Sequence, residues 1–195
     1  MVDHHRFLCG LVLAAGAGTR FGGPKALARE PDGTAWVELA VRMLRDAGCD
    51  CVLVALGASA DEARALVPAD SQVVVVEDWS KGLSAALRAG LSAASALGAE
   101  AMLIMPVDTP GATVDAATRV IERAGDPLST ALARAVYAGR PGHPVLIGRD
   151  HWDGLAETLM GDSGAGPYLS AHHAIAVECG DLWPGEDIDL RDQLS

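Results

Sequence analysis

The chain is poor in aromatic residues, in positive charge and in long apolar runs. Aromatics make up 4% of its 195 residues, with only 2 Phe, against 50% hydrophobic residues in all. A core filled mainly by Ala, Leu and Val suits close packing of helices on a sheet more than an aromatic sandwich. Lys and Arg number 15 against 26 Asp and Glu, for a net charge of −11. No Lys/Arg cluster occurs, which argues against binding along a nucleic-acid backbone. No apolar run approaches the roughly 20 residues of a membrane-spanning helix, and the opening MVDHHRF lacks the apolar segment of a signal peptide. Neither membrane association nor export is therefore expected. The 4 Cys have no metal-ligand spacing, since Cys49-x-Cys51 is too tight. Cys9 and Cys51 lie in strand-like runs, where a free thiol is a small buried hydrophobe, and reduced cysteines in a cytoplasm are expected. The 6 His show no HExxH pattern, and His4-His5 and His172-His173 read as solvated pairs.

What the chain does have is glycine in one telling place. An apolar run (Phe7, Leu8, Leu11, Val12, Leu13), continuous enough for a strand buried on both faces, breaks at Ala15-Gly16. Gly16, Gly18, Gly22 and Gly23 then crowd together ahead of Pro24 and Lys25. Such a segment is not core material. It offers backbone N–H groups that can approach an anion, plus the cations Arg20 and Lys25, and that combination suits a polyphosphate. In so acidic a chain, two cations placed beside glycines are informative. A Walker A loop fails here because Pro24 takes the lysine position and Ala26 follows Lys25, so no Ser/Thr hydroxyl is available. A dinucleotide fingerprint fails less completely. Phe21 stands at its third glycine and the looser spacing Gly16, Gly18, Gly22 survives, but Val52–Leu56 ends in Gly57-Ala58 without a ribose-binding acid.

The rest of the chain supplies the scaffold. Trp36, Val37, Ala40, Val41 and Leu44 recur at helical spacing, with Thr34 as N-cap and Gly48 as stop. Strand Cys51–Leu56, a short helix from Asp61 to Val67 and strand Gln72–Val76 complete β-α-β-α-β, the first half of a doubly wound sheet. A helix from Ser84 to Leu97 and a fourth strand, Ala101–Met105, follow. Pro106-Val107-Asp108 puts a carboxylate at the carboxyl edge of that strand, where the glycine loop also opens. There Asp108 suits Mg²⁺, which takes few carboxylates and completes its shell with phosphate and water. A helix from Thr113 to Ala124, strand Ser129–Val136, a Gly/Pro turn over Tyr137–Arg149, a helix from His151 to Leu159 and a last strand, Ala174–Glu178, end the pass. No repeat or linker interrupts it, so a single domain over residues 1–195 is expected.

L-A-A-G-A-G-T-R-F-G-G-P-K closely resembles the signature of the MobA-like nucleotidyltransferases, LAAG-x-x-x-R-(F/M)-G-x-x-K. Further matches extend the resemblance over nearly the whole chain: Glu77 to Ser84 with Trp79 and Gly82, M-P-V-D-T-P around Asp108, Y-A-G-R-P-G-H-P-V-L-I-G-R from Tyr137, G-D-S-G-A-G-P-Y-L from Gly161, and E-D-I-D-L near the end. Three departures stand out: Ala86 replaces a common Ser, Gly166 replaces an expected Arg, and Leu190-Arg191 replaces Thr-Pro. The resemblance implies a three-layer α/β fold, mostly parallel and Rossmann-like, of the nucleotidyltransferase (nucleotide-diphospho-sugar transferase, GT-A-like) type. It implies attack by an acceptor phosphate on the α-phosphorus of a nucleoside triphosphate, with Mg²⁺ as cofactor. Lys25, Arg20 and Asp108 are then the expected catalytic residues. Ala14, Ala15, Gly16, Gly18, Arg20, Lys25 and Gly82 would bind the nucleotide, and His143 would face the acceptor.

For the metal, Asp108 would be joined by Asp189, with Asp187 as the alternative; residues two apart in an extended stretch point the same way. An acidic tail of Glu186, Asp187, Asp189 and Asp192 without a ligand role competes with this. Within the family, L-A-A-G rather than L-A-G-G together with G-H-P-V-L-I-G-R looks most like the molybdenum cofactor cytidylyltransferases. CTP would then be the donor, a molybdopterin-type cofactor the acceptor, and a molybdoenzyme or cofactor-delivery protein a further partner. GTP as donor, a sugar-phosphate acceptor, a non-catalytic delivery module and a nicotinamide oxidoreductase remain alternatives.

Overall fold

The computed structural model describes residues 6–190. His4, His5, Arg191 and Asp192 lie outside them. The apolar run at the start of the chain forms strand β1, Leu8–Ala14, and it is buried on both faces. Leu8, Val12 and Ala14 enter one core layer, while Cys9 and Leu11 enter the other. Six more strands join it: β2 Cys51–Leu56, β3 Gln72–Val75, β4 Ala101–Pro106, β5 Leu132–Tyr137, β6 Arg140–Gly148 and β7 Ile175–Glu178. Their order is β3-β2-β1-β4-β6-β5-β7, and only β6 runs antiparallel to its neighbours.

Helices cover both faces. Helices α1 (Trp36–Asp46), α2 (Ala60–Arg64) and α4 (Val114–Ala124) pack on the side of Val12 and Leu103. Helices α3 (Leu83–Ala96), α5 (Trp152–Thr158) and α6 (Gly166–Ala171) cover the side of Leu11 and Ile104. The result is a three-layer, mostly parallel Rossmann-like domain. Leu11, Leu53, Leu87, Leu103 and Ile104 are all fully buried or within a few per cent of it, each worth about 1.5–3 kcal/mol of transfer free energy. Small Ala side chains at Ala94, Ala101, Ala116 and Ala133, all at 0% exposure, let helices and sheet approach closely.

Several local expectations are corrected. The segment 137–149 is not simply a turn: the turn is Ala138-Gly139, and β6 runs for nine residues through Pro141 and Pro144. Proline normally interrupts a sheet because it donates no ladder hydrogen bond. Here β4 pairs with β6 only from Val145 onward, so both prolines sit where β6 overhangs and need no partner on that side. Thr34 does not cap α1. The Asp32 carboxylate accepts its backbone N–H at 2.8 Å, which closes a turn, and Ala35 takes the cap position. Helix α2 ends at Arg64, short of Val67. Leu128–Thr130 forms a 3-10 turn that delays β5 to Leu132. A second 3-10 turn, Arg149–His151, precedes α5, and α6 is an element the glycine-rich sequence around it concealed.

Candidate active site

The chain lays down β1, β2 and β3 outward, then returns to place β4 on the other side of β1. The crevice at such a reversal, beyond the carboxyl ends of the strands, is where α/β sheets bind ligands. Leu13 pairs with Pro106, and the Val107 N–H donates to the Leu13 carbonyl at 3.1 Å. The glycine loop and the Asp108 segment therefore leave the sheet side by side.

The loop is a built object. The Gly23 N–H donates to the Gly18 carbonyl at 3.0 Å. Gly18 has φ +59°, and a Cβ there would overlap the Gly23 carbonyl oxygen. Phe21 corrects the expectation that the segment contributes nothing to the core: it is 5% exposed and lies on Trp36, ring centroids 5.3 Å apart. Ala26 is buried with it. Phe21 and Ala26 thus bolt the loop to α1, while Arg20 and Lys25 are held on its open side. Gly18→Ala is expected to weaken nucleoside triphosphate binding by tenfold or more, because the loop must shift to clear the Gly23 carbonyl and the left-handed φ alone adds about 1–2 kcal/mol, while the rest of the fold keeps its packing. Calorimetric titration beside a melting curve checks it.

Lys25 Nζ donates to Asp108 Oδ2 and to Asp189 Oδ1, both at 2.7 Å. The C-terminal segment is pinned beside them, because the Ile188 N–H donates to the Asp108 carbonyl at 2.9 Å and Ile188 packs against the core. With Ile188 facing inward, Asp187 and Asp189 flank it on the site side. Asp108, Asp187 and Asp189 bring carboxylate oxygens within 4.8 Å of one another. Burial alone would depress the Lys25 ammonium, but the two carboxylates hold it above its usual range. In return the Lys25 hydrogen bond holds Asp189 below the usual carboxylate range. Arg20 Nη1 lies 3.7 Å from Asp189 Oδ2 with its side chain 82% exposed, a screened pair worth little to stability. All-oxygen donors at this spacing match a hard divalent cation such as Mg²⁺.

Two cavities meet at this cluster and share Leu13, Leu83 and Asp108 in their walls. The first, of about 480 Å³, is bounded by Ala15, Gly16, Arg20, Trp79, Gly82 and Asp162. Gly82 has φ +97°, and a Cβ there would collide with Asp162 Oδ1 and the Gly161 carbonyl. That carbonyl accepts the Ser84 N–H at 3.0 Å, so the start of α3 and the Gly161-Asp162 turn are clamped together through a glycine. The second cavity, of about 420 Å³, lies between the sheet and helices α3 and α6, with Arg134, His143, Gly166, Leu169, Trp183 and Asp187 in its wall. Burial pushes the His143 imidazole below its usual value against the opposing pull of Asp108 and Asp187. Its carbonyl accepts the Tyr137 hydroxyl at 2.6 Å, and Tyr137 in turn accepts from Trp183 Nε1.

Of the residues expected from sequence, Lys25, Asp108 and Asp189 converge, Asp187 stands with them, and Arg20 stands at the edge. Ala15, Gly16 and Gly82 line the first cavity and His143 the second, while Gly18 shapes the loop. Ala14 is the exception: it is 3% exposed and packs in the core layer of α1. Asp162, Leu83 and Arg134 were not foreseen. A signal existed for Arg134, a lone charge in an otherwise apolar strand, Leu132 to Tyr137.

Residues 10–175 match the profile of the MobA-like NTP transferase domain. The chain belongs to that family. Nicotine blue oxidoreductase from Paenarthrobacter nicotinovorans is 34% identical over 95% of this chain and 93% of its own. The molybdenum cofactor guanylyltransferase of Acidiphilium cryptum (strain JF-5) is 34% identical over 86% of this chain and 79% of its own. Among solved structures, a homologue of Mycobacterium tuberculosis Rv0371c from Mycobacterium sp. strain JC1 superposes with a TM-score of 0.82 at 30% identity, over 96% of this chain and 92% of that one. Rv0371c of M. tuberculosis H37Rv in complex with manganese has a TM-score of 0.70 at 28% identity, over 88% and 86%. The MobA-like chain also has no helix, among the described residues, long and apolar enough to cross a membrane.

Proposed function

We propose that the protein transfers a nucleoside monophosphate, CMP from CTP, to a phosphate-bearing acceptor of the molybdopterin type and releases pyrophosphate. The observation that carries this is the Lys25–Asp108–Asp189 cluster, set where two cavities share a wall. The cavity beside the glycine loop takes the triphosphate and base. The other takes the acceptor, whose phosphate oxygen attacks the α-phosphorus while the bond to the pyrophosphate oxygen breaks. An ionised phosphate needs no base to activate it, so the protein's work is alignment and charge neutralisation. Lys25 and Arg20 offset phosphate charge from the loop side, and loop N–H groups add to them. Asp108 and Asp189, with Asp187 at hand, would hold Mg²⁺; when bound, such an ion polarises the phosphoryl oxygens and orients the attacking and leaving groups. The manganese complex of the Rv0371c structure supports a hard divalent ion here.

Ala15 supports the choice of CTP. Ala15 belongs to the wall of the first cavity while most of its surface packs in the core, and a glycine in its place would leave more room there. The guanylyltransferase relative supports the acceptor class and names the competing donor. Four free cysteines fit a reducing cytoplasm, and a product of this kind would pass to a molybdoenzyme or a cofactor-delivery protein. The deciding measurement is pyrophosphate release with each of the four ribonucleoside triphosphates and purified molybdenum cofactor. CTP is expected to exceed GTP by about tenfold, the discrimination that one methyl group's worth of pocket can give. Turnover with GTP and none with CTP reverses the donor. One relative is named an oxidoreductase, which favours a second reading, reduction by a nicotinamide cofactor in the first cavity. Enhancement of NADPH fluorescence on mixing, with no pyrophosphate from any nucleotide, would select it.

A further inference from the structure

Arg134 is a charge in an unusual place. It lies on β5 between Ala133 and Ala135, both at 0% exposure, and pairs with Val145 of β6 and Ala176 of β7. Alternation along β5 turns Ala133, Ala135 and Tyr137 toward α4 and leaves Arg134 on the other face with Leu132. There it forms part of the wall of the acceptor-side cavity. Its Nε is shut off from solvent and has no hydrogen-bond partner, and Nη2 reaches Ser170 Oγ only at 3.5 Å. Among the described residues it forms no ion pair. Arg134 is half-buried and its Nη2 end is open to solvent, so the unsatisfied group is Nε alone, and an unpaired donor shut off from water costs about 1–3 kcal/mol. Position 166 sharpens the point. Gly166, exposed at the start of α6, lines the same cavity where the resembled motif has Arg, and nothing lies within 4 Å of where its Cβ would be. The cation missing from the start of α6 has a counterpart on β5 in the wall of the same cavity.

We propose that Arg134 is a specificity residue for the acceptor, gripping an oxyanion, a carboxylate or a second phosphate, at the end of the acceptor remote from the phosphate that reacts. This rests on the nucleotidyl-transfer reading of the site. The cavity is then two-ended. Asp108, Asp187 and the cation they would hold receive the reacting phosphate, and Arg134 receives the second anion through its planar donor fork. Between the ends lies an apolar slot of Leu87, Ile104, Val145 and Leu169, fit for a flat or aliphatic body. Acceptors carrying a single anionic group would leave the guanidinium unsatisfied and bind weakly.

The test compares phenyl phosphate with 4-carboxyphenyl phosphate by calorimetry, with Mg²⁺ present, on the wild-type protein, Arg134→Met and Arg134→Lys. Binding of CTP with Mg²⁺ is measured in parallel on all three. The wild type is expected to favour the carboxylated probe by about tenfold or more, the order of one charge-assisted hydrogen bond. Arg134→Met should lose that preference, Arg134→Lys should retain part of it, and CTP affinity should not change. Equal binding of the two probes by the wild type, including no binding of either, overturns the proposal. So does a preference that survives in Arg134→Met. If no variant binds CTP yet the probe preference follows Arg134, the oxyanion site stands and the nucleotidyl-transfer reading falls.

Discussion

Asp108→Asn is expected to cut nucleotidyl transfer by about 10²–10³-fold, the scale of removing one preorganised electrostatic contact from a transition state. The fold should survive with a thermal midpoint within a few degrees of wild type. Asn keeps the shape and can still accept from Lys25, and Lys25 keeps its bond to Asp189. The Asp108 carbonyl, which pins Ile188, is untouched. What disappears is one negative charge in a group of three carboxylates, and in the absence of a metal that loss relieves repulsion. A midpoint lowered by many degrees with normal turnover per folded molecule would make Asp108 structural. Asp187→Asn and Asp189→Asn extend the experiment. The weaker Mg²⁺ dependence is expected to follow Asp189, whose oxygen already shares the Lys25 ammonium with Asp108. If neither variant shifts the Mg²⁺ dependence while Asp108→Asn is inactive, Asp108 is the only protein ligand and the acidic tail is solvated surface.

The convergence of Lys25 with Asp108 was legible in the sequence because it depends on topology alone. An apolar run ending in glycines and a second apolar run ending in Asp both mark carboxyl ends of parallel strands, and the strand order makes those ends neighbours. The approach of Asp187 and Asp189 needed more. It depends on the Ile188–Asp108 backbone hydrogen bond, the packing of Ile188 on the core and the Lys25–Asp189 contact, and no periodicity encodes a pairing across so long a stretch of chain. The strand character of Arg140–Gly148 was hidden for a related reason. Two prolines are a sound argument against a central strand, and they fail here only because β6 outruns its neighbour β4. Phe21 misled in the opposite direction: its role comes from Trp36 beneath it, a contact made by the loop's curvature rather than by any local pattern. Arg134 is a case where alternation was readable but its destination was not, since which face of β5 opens onto a cavity depends on how α3 and α6 cover that side of the sheet.

Lys25→Ala is expected to act in two opposite directions, and the pair of effects distinguishes a phosphate ligand from a mere counter-ion. Turnover should fall by about 10²–10³-fold, because in the proposed reaction the loop would lose the cation that meets phosphate charge in the transition state. Affinity of the nucleotide-free protein for Mn²⁺ should instead rise. In the structure the ammonium lies 2.7 Å from one oxygen of Asp108 and one of Asp189, so it occupies the position an incoming divalent ion needs. Two unit charges about 4 Å apart interact by about 4 kcal/mol at an effective dielectric near 20. Asp189 is 46% exposed, so solvent screening removes much of that. A gain of about tenfold in Mn²⁺ affinity, about 1.4 kcal/mol, is therefore the expected size. The spin-resonance signal of free Mn²⁺ reads it directly, without nucleotide or acceptor. Lys25 as a plain counter-ion predicts the Mn²⁺ gain with turnover intact, and Lys25 as a remote surface charge predicts neither. Only a lysine that yields its carboxylates to the metal and turns to the triphosphate gives both.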